Sequence, residues 1–131
     1  MSESQETAKI YLGRHCKTAW NLEGRLIGTT DLPLCDVGWA EIEETLPIIE
    51  ALNFDRIVTS TLKRAHDTSK SYADKIGIPL DIHQDLRELD HGDWNTQKYV
   101  DLLADPDGDF AKWWNDGDVS IPIPNGPETL E

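Results

Sequence analysis

The sequence predicts an α/β fold built around a parallel sheet. Three apolar runs rich in β-branched and aromatic residues, at residues 9–15, 55–60 and 79–83, are typical of strands. Two stretches with apolar residues at helical spacing, at about 37–52 and 61–76, lie between them. The order strand, helix, strand, helix, strand favours parallel strands joined by right-handed crossovers.

The first predicted strand ends at Arg14 and His15 and leads into a polar loop over residues 16–35. Gly24 and Gly28 interrupt this loop. A loop of this length inside a small domain is usually functional.

The first predicted helix has Asp36 as its expected N-terminal cap, and Ile42, Leu46 and Ile49 share one of its faces. Pro47 is expected to kink or shorten this helix. The second predicted helix presents one side made of Leu62, Ala65, Ser69, Tyr72, Ala73 and Ile76.

Gly77 and Pro79 are expected to end the second helix just before the third strand. Beyond it, the sequence predicts short helices at 96–104 and 109–115 and an extended, proline-rich connector at 120–127. The five tryptophans are predicted to be core or pocket-wall residues.

The chain is strongly acidic, with 25 Asp and Glu against 12 Lys and Arg and a net charge of −13. Nucleic acid and anionic membranes are therefore poor partners. An anionic substrate would need a local cluster of arginines, for which Arg14, Arg25, Arg64 and Arg87 are the candidates.

Two cysteines, Cys16 and Cys35, have no metal-type spacing and are too few for a disulfide scaffold. Residues 1–7 are polar and do not resemble a signal peptide, and no apolar run approaches the length of a membrane span. These features predict a cytoplasmic protein.

Arg14 and His15 form the most informative pair, because the carboxyl end of a strand is where α/β sheets place ligands. A guanidinium offers a planar fork to phosphate oxygens, and an imidazole that is neutral near pH 7 can attack phosphorus. The pair therefore predicts chemistry on a phosphoryl group.

The chain resembles the histidine phosphatase (phosphoglycerate mutase-like) superfamily, whose signature is Arg-His-Gly-Glu-Thr followed by Trp-Asn and Gly-Arg. The resemblance covers roughly residues 9–131. Its motifs here are Arg14-His15-Cys16-Lys17-Thr18, Trp20-Asn21, Gly24-Arg25, residues 31–34, Gly38, residues 59–65, Thr68 and residues 86–94. The resemblance implies a three-layer α/β/α, phosphoglycerate mutase-like fold.

The same resemblance assigns roles to five residues. His15 would be the nucleophile that forms a phosphohistidine, and Glu88 the general acid, which needs a carboxyl that is partly buried or close to other acids. Arg14 and Arg64 would clamp the phosphoryl oxygens, and Asn21 would donate a further hydrogen bond to them.

The chain departs from the family pattern at Cys16 and Lys17, which replace Gly and Glu. A cysteine phosphatase is not a valid alternative, because that chemistry needs an Arg six residues after the thiol, where Leu22 and Glu41 stand. Cys16 is instead predicted to be a small buried side chain. His66, His83 and His91 show no spacing for zinc.

The second catalytic histidine of the family has no counterpart, since His91 is the last histidine. We therefore expect residues 1–131 to be a single domain corresponding to the N-terminal two-thirds of the family domain, incomplete at the C-terminus. Such a chain is expected to have little activity and to associate through exposed sheet edges. A deliberately shortened, non-catalytic relative is the alternative.

The function predicted is hydrolysis of a small phosphorylated metabolite, as a phosphomonoester hydrolase that works through a phosphohistidine without metal or organic cofactor. Phosphoglycerate mutase is the alternative enzyme. A catalytically inactive phosphate-binding or interaction domain is the alternative outside enzymes.

Overall fold

A parallel two-stranded sheet lies near the middle of the chain. The computed structural model describes residues 6–128, in which β1 (Ile57–Thr59) and β2 (Leu80–Ile82) are joined by α3 (Lys63–Ile76). Ile57 pairs with Leu80 at one end of the ladder, and Thr59 pairs with Ile82 at the other. The predicted parallel strand–helix–strand unit is confirmed, although both strands are shorter than predicted.

The predicted strand at residues 9–15 is wrong, because residues 6–18 contain neither helix nor strand. Ile10 and Leu12 are 82% and 97% exposed. A strand requires a hydrogen-bonded neighbour, and no other part of residues 6–128 pairs with this segment. Residues 9–15 have the apolar pattern of a strand, but they form no hydrogen-bonded ladder with other residues between 6 and 128.

A short helix that the sequence analysis missed, α1 (Ala19–Glu23), interrupts the predicted polar loop. The Thr18 hydroxyl accepts from the Asn21 backbone N–H at 3.3 Å, and the Asn21 side-chain oxygen accepts from the Thr18 N–H at 2.8 Å. This reciprocal capping box satisfies two donors at the helix start. Gly24, at φ 67°, ends the helix in the left-handed conformation.

The first long helix, α2 (Asp36–Ala51), has Cys35 at its N-cap position. Asp36 is therefore the first helical residue and not the cap, and the predicted cap is wrong by one position. Pro47 does not shorten the helix, which continues to Ala51. Its ring lies on an exposed part of the helix, where water can satisfy the carbonyl that has lost its N–H partner.

The side of α3 that faces the protein is more polar than predicted. Tyr72 and Ala73 are buried as expected, but Arg64 and Thr68 are buried with them. Gly77 ends the helix at φ 79°, as predicted.

The second half of the chain is mostly irregular. α4 (Tyr99–Leu102) is shorter than the helix predicted at 96–104, because Thr96 at φ 72° and Lys98 at φ −78°, ψ 140° lie outside the right-handed helical region. α5 (Asp109–Asn115) matches its prediction, and residues 120–127 form no helix or strand, as expected. Two 3₁₀ turns complete this half: Gln84–Leu86 and Gly92–Trp94.

Two apolar clusters form the interior. The first, which we call the helical cluster, contains Cys16, Leu34, Ile42 and Tyr72, with Leu46, Ile49 and Ile57 packed against them. The second, the aromatic cluster, contains Leu26, Trp94, Phe110 and Ile123, surrounded by Leu89, Tyr99, Leu102, Leu103, Trp113 and Ile121. The predicted inward face of α2 is thereby confirmed.

Between residues 6 and 128, no helix combines the length and the apolar character needed to cross a membrane.

Candidate active site

One cavity of about 1150 Å³ brings together the residues that the sequence predicted for the site. Its walls include Arg14, His15, Asn21, Arg64 and Glu88. Arg25 and Arg87 line it as well, so the four arginines expected to cluster share one cavity. Arg14 and His15 reach it from an irregular segment and not from the end of a strand.

His15 is fixed in one tautomer by the backbone of the next residue. Its Nδ1 lies 2.7 Å from the Cys16 carbonyl oxygen, which can only accept, so Nδ1 carries the proton and Nε2 keeps a lone pair. Burial lowers the pKa of His15; the neighbouring charges of Arg64 and Arg14 lower it further, against the opposing effects of the Cys16 hydrogen bond and Glu88. The neutral imidazole is thus favoured near pH 7.

Arg64 is the second residue of α3 and is only 2% exposed. Its guanidinium donates to the Thr30 carbonyl at 2.7 Å and to the Gly28 carbonyl at 2.6 Å. Burial lowers its pKa, opposed by the charges of Glu88 and Asp31. A guanidinium has five N–H donors, so three remain for a ligand.

Arg14 is exposed and makes no hydrogen bond or ion pair with any other residue between 6 and 128. The Asn21 side-chain oxygen is occupied by the Thr18 N–H and hydroxyl, at 2.8 and 3.0 Å. The Asn21 amide nitrogen is therefore the atom that can donate to a ligand.

Glu88 is exposed, so burial does not supply the environment expected for a proton-donating carboxyl. Its Oε1 accepts from the Leu89 N–H at 2.9 Å. The segment around it is braced by Glu128, which forms an ion pair with Arg87 at 3.0 Å and accepts from the Asp90 N–H at 3.3 Å.

Thr68, to which the sequence analysis gave no role, links the nucleophile segment to the helix that carries Arg64. Its hydroxyl accepts from the Cys16 N–H at 3.1 Å and donates to the Arg64 carbonyl at 2.7 Å. Thr68 is 4% exposed. The backbone positions of His15 and Arg64 are therefore joined through a single side chain.

Cys16 is a small buried side chain, as predicted, with its sulfur 3.8 Å from the Tyr72 hydroxyl. Burial raises the pKa of its thiol, which opposes the thiolate that a nucleophilic cysteine needs. The tryptophan prediction is also confirmed at Trp94, which is buried, and at Trp113 and Trp114, which line the cavity. It is wrong at Trp39, which is 46% exposed on α2 and outside the cavity, because this side chain lies on the outer face of the helix.

His91 was also missed as a cavity residue. It is 6% exposed and lies edge-on to Trp113, with ring centroids 5.7 Å apart. Its Nδ1 has no hydrogen-bond partner among residues 6–128. Burial lowers its pKa, against the opposing charges of Glu88, Asp90 and Glu128.

A family model described as the histidine phosphatase superfamily (branch 1) matches residues 10–131 of the chain. The chain belongs to this superfamily. The match begins just before Arg14 and His15 and includes every predicted site residue.

The chain is similar to an adenosylcobalamin/alpha-ribazole phosphatase of Escherichia coli (strain K12), with 27% identity over 87% of this chain and 56% of that protein. It is 31% identical to a probable phosphoglycerate mutase of Enterobacter sp. (strain 638), over 94% of this chain and 57% of that protein. A mycobacterial glucosyl-3-phosphoglycerate phosphatase in complex with VO3 superposes with a TM-score of 0.69 at 27% identity, covering 76% of this chain and 47% of that one.

These matches confirm the α/β, phosphoglycerate mutase-like fold class. The chain spans about half the length of the curated relatives that it matches.

Proposed function

We propose that this chain carries the phosphoryl-binding and nucleophilic part of a phosphomonoester hydrolase that acts on a small phosphorylated metabolite through a phosphohistidine. The observation that carries the proposal is the hydrogen bond from His15 Nδ1 to the Cys16 carbonyl, at 2.7 Å. It leaves the Nε2 lone pair available in a cavity that Arg14 and Arg64 also line.

In the first step, His15 Nε2 attacks phosphorus, the N–P bond forms and the bond to the leaving oxygen breaks. Glu88, when protonated, gives its proton to that oxygen, so the product leaves as a neutral alcohol. In the second step, water attacks phosphorus while the Glu88 carboxylate takes a proton from it. The P–N bond breaks, phosphate is released and His15 regains its lone pair.

Arg14, Arg64 and the Asn21 amide would donate to the non-bridging phosphoryl oxygens, where charge develops during transfer. Each preorganised donor of this kind contributes of order 3 kcal/mol to the lowering of the barrier. Arg64 suits this role because its two bonds to loop carbonyls hold the guanidinium in place before the ligand arrives.

The comparisons support a phosphoryl-transfer role. Relatives are named as phosphatases, and one solved structure holds VO3. A phosphoglycerate mutase is the alternative reaction, supported by the relative of that name. A phosphate-binding domain without turnover is the other alternative, supported by the exposure of Glu88.

The test is to incubate the 131-residue chain with a ³²P-labelled phosphomonoester and to trap the labelled protein. We expect a label that is stable to base and labile to acid, and that maps to His15. His15→Ala should abolish it, and His83→Ala, at an exposed histidine outside the cavity, should not.

Binding of inorganic phosphate without any label, in the presence of several phosphomonoesters, would favour the phosphate-binding domain over the enzyme. A label that survives His15→Ala would place the nucleophile elsewhere. Transfer of the label to an acceptor such as phosphoglycerate, faster than its release to water, would favour the mutase.

The proposal also covers domain organisation, cellular location and association between chains. Residues 1–131 would behave as one domain, since two backbone hydrogen bonds of Leu26 join distant parts of the chain. The Leu26 carbonyl accepts from the Thr96 N–H at 2.8 Å, and the Leu26 N–H donates to the Gln97 carbonyl at 2.9 Å. A cytoplasmic location agrees with the free thiols of Cys16 and Cys35. Association between chains would involve the exposed segment around Ile10 and Leu12.

A further inference from the structure

We propose that the cavity extends from its basic end into a subsite for the leaving group of the phosphomonoester, and that this subsite takes an uncharged, aromatic group. The inference rests on the proposed function, because it assumes that the phosphoryl group sits at His15. It adds the chemical class of the alcohol that is released.

The cavity is much larger than a phosphoryl group requires. Its volume of about 1150 Å³ slightly exceeds the range of roughly 300–1,000 Å³ of pockets that hold drug-sized ligands. Besides the basic residues, the walls include Leu89, Tyr99, Leu103, Trp113 and Trp114. These five side chains give the cavity an apolar and aromatic part.

Tyr99 lines the same cavity as Arg14 and Glu88. Burial raises the pKa of its hydroxyl, against the opposing charge of Arg14. Its ring lies 5.1 Å from Trp114, centroid to centroid. The Tyr99 N–H donates to the Gly24 carbonyl at 2.9 Å, which ties this wall to the loop that follows Asn21.

Trp113 and Trp114 of the cavity wall are held in place by contacts with buried aromatic rings. Phe110 is buried and stacks on Trp114, with centroids 5.7 Å apart and planes 15° apart. Trp113 packs on the buried Trp94 at 5.5 Å. Trp114 itself is 47% exposed although it lies in this stack. An indole that is fixed on one side and open on the other offers a flat surface to a second ring.

The charged groups that line the cavity disfavour an anionic leaving group. Arg87 is paired with Glu128 at 3.0 Å, and Arg25 is bonded to Glu23 at 3.0 Å and to the Thr96 carbonyl at 2.6 Å. Glu88 adds a further carboxyl. A carboxylated alcohol such as phosphoglycerate would therefore meet two arginines that already have partners, and it would have to displace one of them.

The test compares three phosphonates, which mimic the phosphoryl group but cannot be cleaved, by calorimetric titration of the 131-residue chain. Phenylphosphonate should bind at least about tenfold more tightly than methylphosphonate, because its ring buries apolar surface in the subsite. Phosphonoacetate, which carries a carboxylate, should bind no more tightly than methylphosphonate.

The decisive variant is Trp114→Ala, which should reduce the preference for phenylphosphonate to less than about threefold while leaving methylphosphonate affinity unchanged. Trp39→Ala is the matched control, since Trp39 is 46% exposed on α2 and outside the cavity. If Trp114→Ala does not fold, Trp114→Leu keeps an apolar side chain without a flat ring and should still lower the preference for phenylphosphonate.

Equal affinity for phenylphosphonate and methylphosphonate would overturn the aromatic subsite, and tightest binding of phosphonoacetate would assign it to an anionic group. Either result, together with a labelled His15, would leave the proposed function standing. Failure of all three phosphonates and of inorganic phosphate to bind would overturn both.

Discussion

The helical cluster and the aromatic cluster stabilise the two sides of the site by different means. The helical cluster packs α2 and α3 against each other and against β1, so all of its side chains except Cys16 and Leu34 are placed by regular elements. The aromatic cluster has only two short helices, of four and seven residues, and depends on ring contacts and turn hydrogen bonds.

The difference matters because each side supplies a different part of the proposed chemistry. The helical side positions His15 and Arg64, which need fixed geometry. The aromatic side positions Glu88 and the wall around Tyr99, which would contact the variable part of a substrate. Regular structure thus carries Arg64 and, through Thr68 on α3, holds the irregular segment of His15. The leaving group would meet irregular structure.

The largest expected effects come from truncating one buried side chain in each cluster. Phe110→Ala should cost about 3–5 kcal/mol and Ile42→Ala about 2–5 kcal/mol, since these side chains are 3% and 1% exposed. Phe110→Ala should lose near-UV circular dichroism before far-UV signal during urea unfolding, whereas Ile42→Ala should lose both together.

Val100→Ala and Ile48→Ala, at residues 72% and 63% exposed, are the controls and should change stability by less than about 0.5 kcal/mol. Coincident loss of both signals in Phe110→Ala would show that the two clusters unfold as one unit.

A second comparison uses two glycines that both adopt positive φ. Gly92, at φ 54°, has no room for a side chain, because an added Cβ would overlap the Pro124 carbonyl oxygen and lie 2.7 Å from the Gly126 nitrogen. Gly92→Ala should cost about 2–4 kcal/mol from backbone strain and overpacking. Gly77→Ala, at φ 79° in open space, should cost only about 1 kcal/mol, as measured by urea unfolding. Equal losses would mean that the segment after Ile123 moves away easily.

A third and smaller effect concerns how the free energy of unfolding changes at acidic pH. Because burial lowers the pKa of His91 in the folded state, the unfolded chain binds a proton below pH 6.5 that folded His91 does not. The free energy of unfolding should therefore fall as the pH falls from 6.5 towards the folded pKa, by at most about 1.4 kcal/mol per pH unit for that proton.

His91→Phe should flatten this slope, and His83→Phe, at an exposed histidine, should leave it as in the wild type. The measurement is urea unfolding at several pH values between 5 and 7.5. An unchanged slope in His91→Phe would assign the acid sensitivity to other groups, of which His15 is the next candidate because its pKa is also lowered.

The sequence predicted the helical side well because its elements are periodic. The inward face of α2 and the end of α3 at Gly77 follow from spacing and from a single glycine. The strand at residues 9–15 was wrong for the opposite reason: an apolar pattern shows that a segment can be a strand but not that a neighbour is there to pair with it.

The site residues were brought together as the motifs suggested, but their surroundings were not predictable. The burial of Arg64 depends on carbonyls at Gly28 and Thr30, which are distant in sequence. The exposure of Glu88 and the burial of His91 depend on how the irregular second half folds back. No periodicity marks such contacts, so only the coordinates show them.

Thr68 constrains how this protein can vary in sequence. Its hydroxyl must accept from Cys16 and donate to the Arg64 carbonyl at the same time. Serine is the only other residue with a hydroxyl of that size at that distance from the backbone, so natural variants at this position should be confined to Thr and Ser. Substitutions at Cys16, by contrast, should be tolerated when the new side chain is apolar and small enough for the helical cluster, because only the backbone N–H of this residue makes the bond to Thr68.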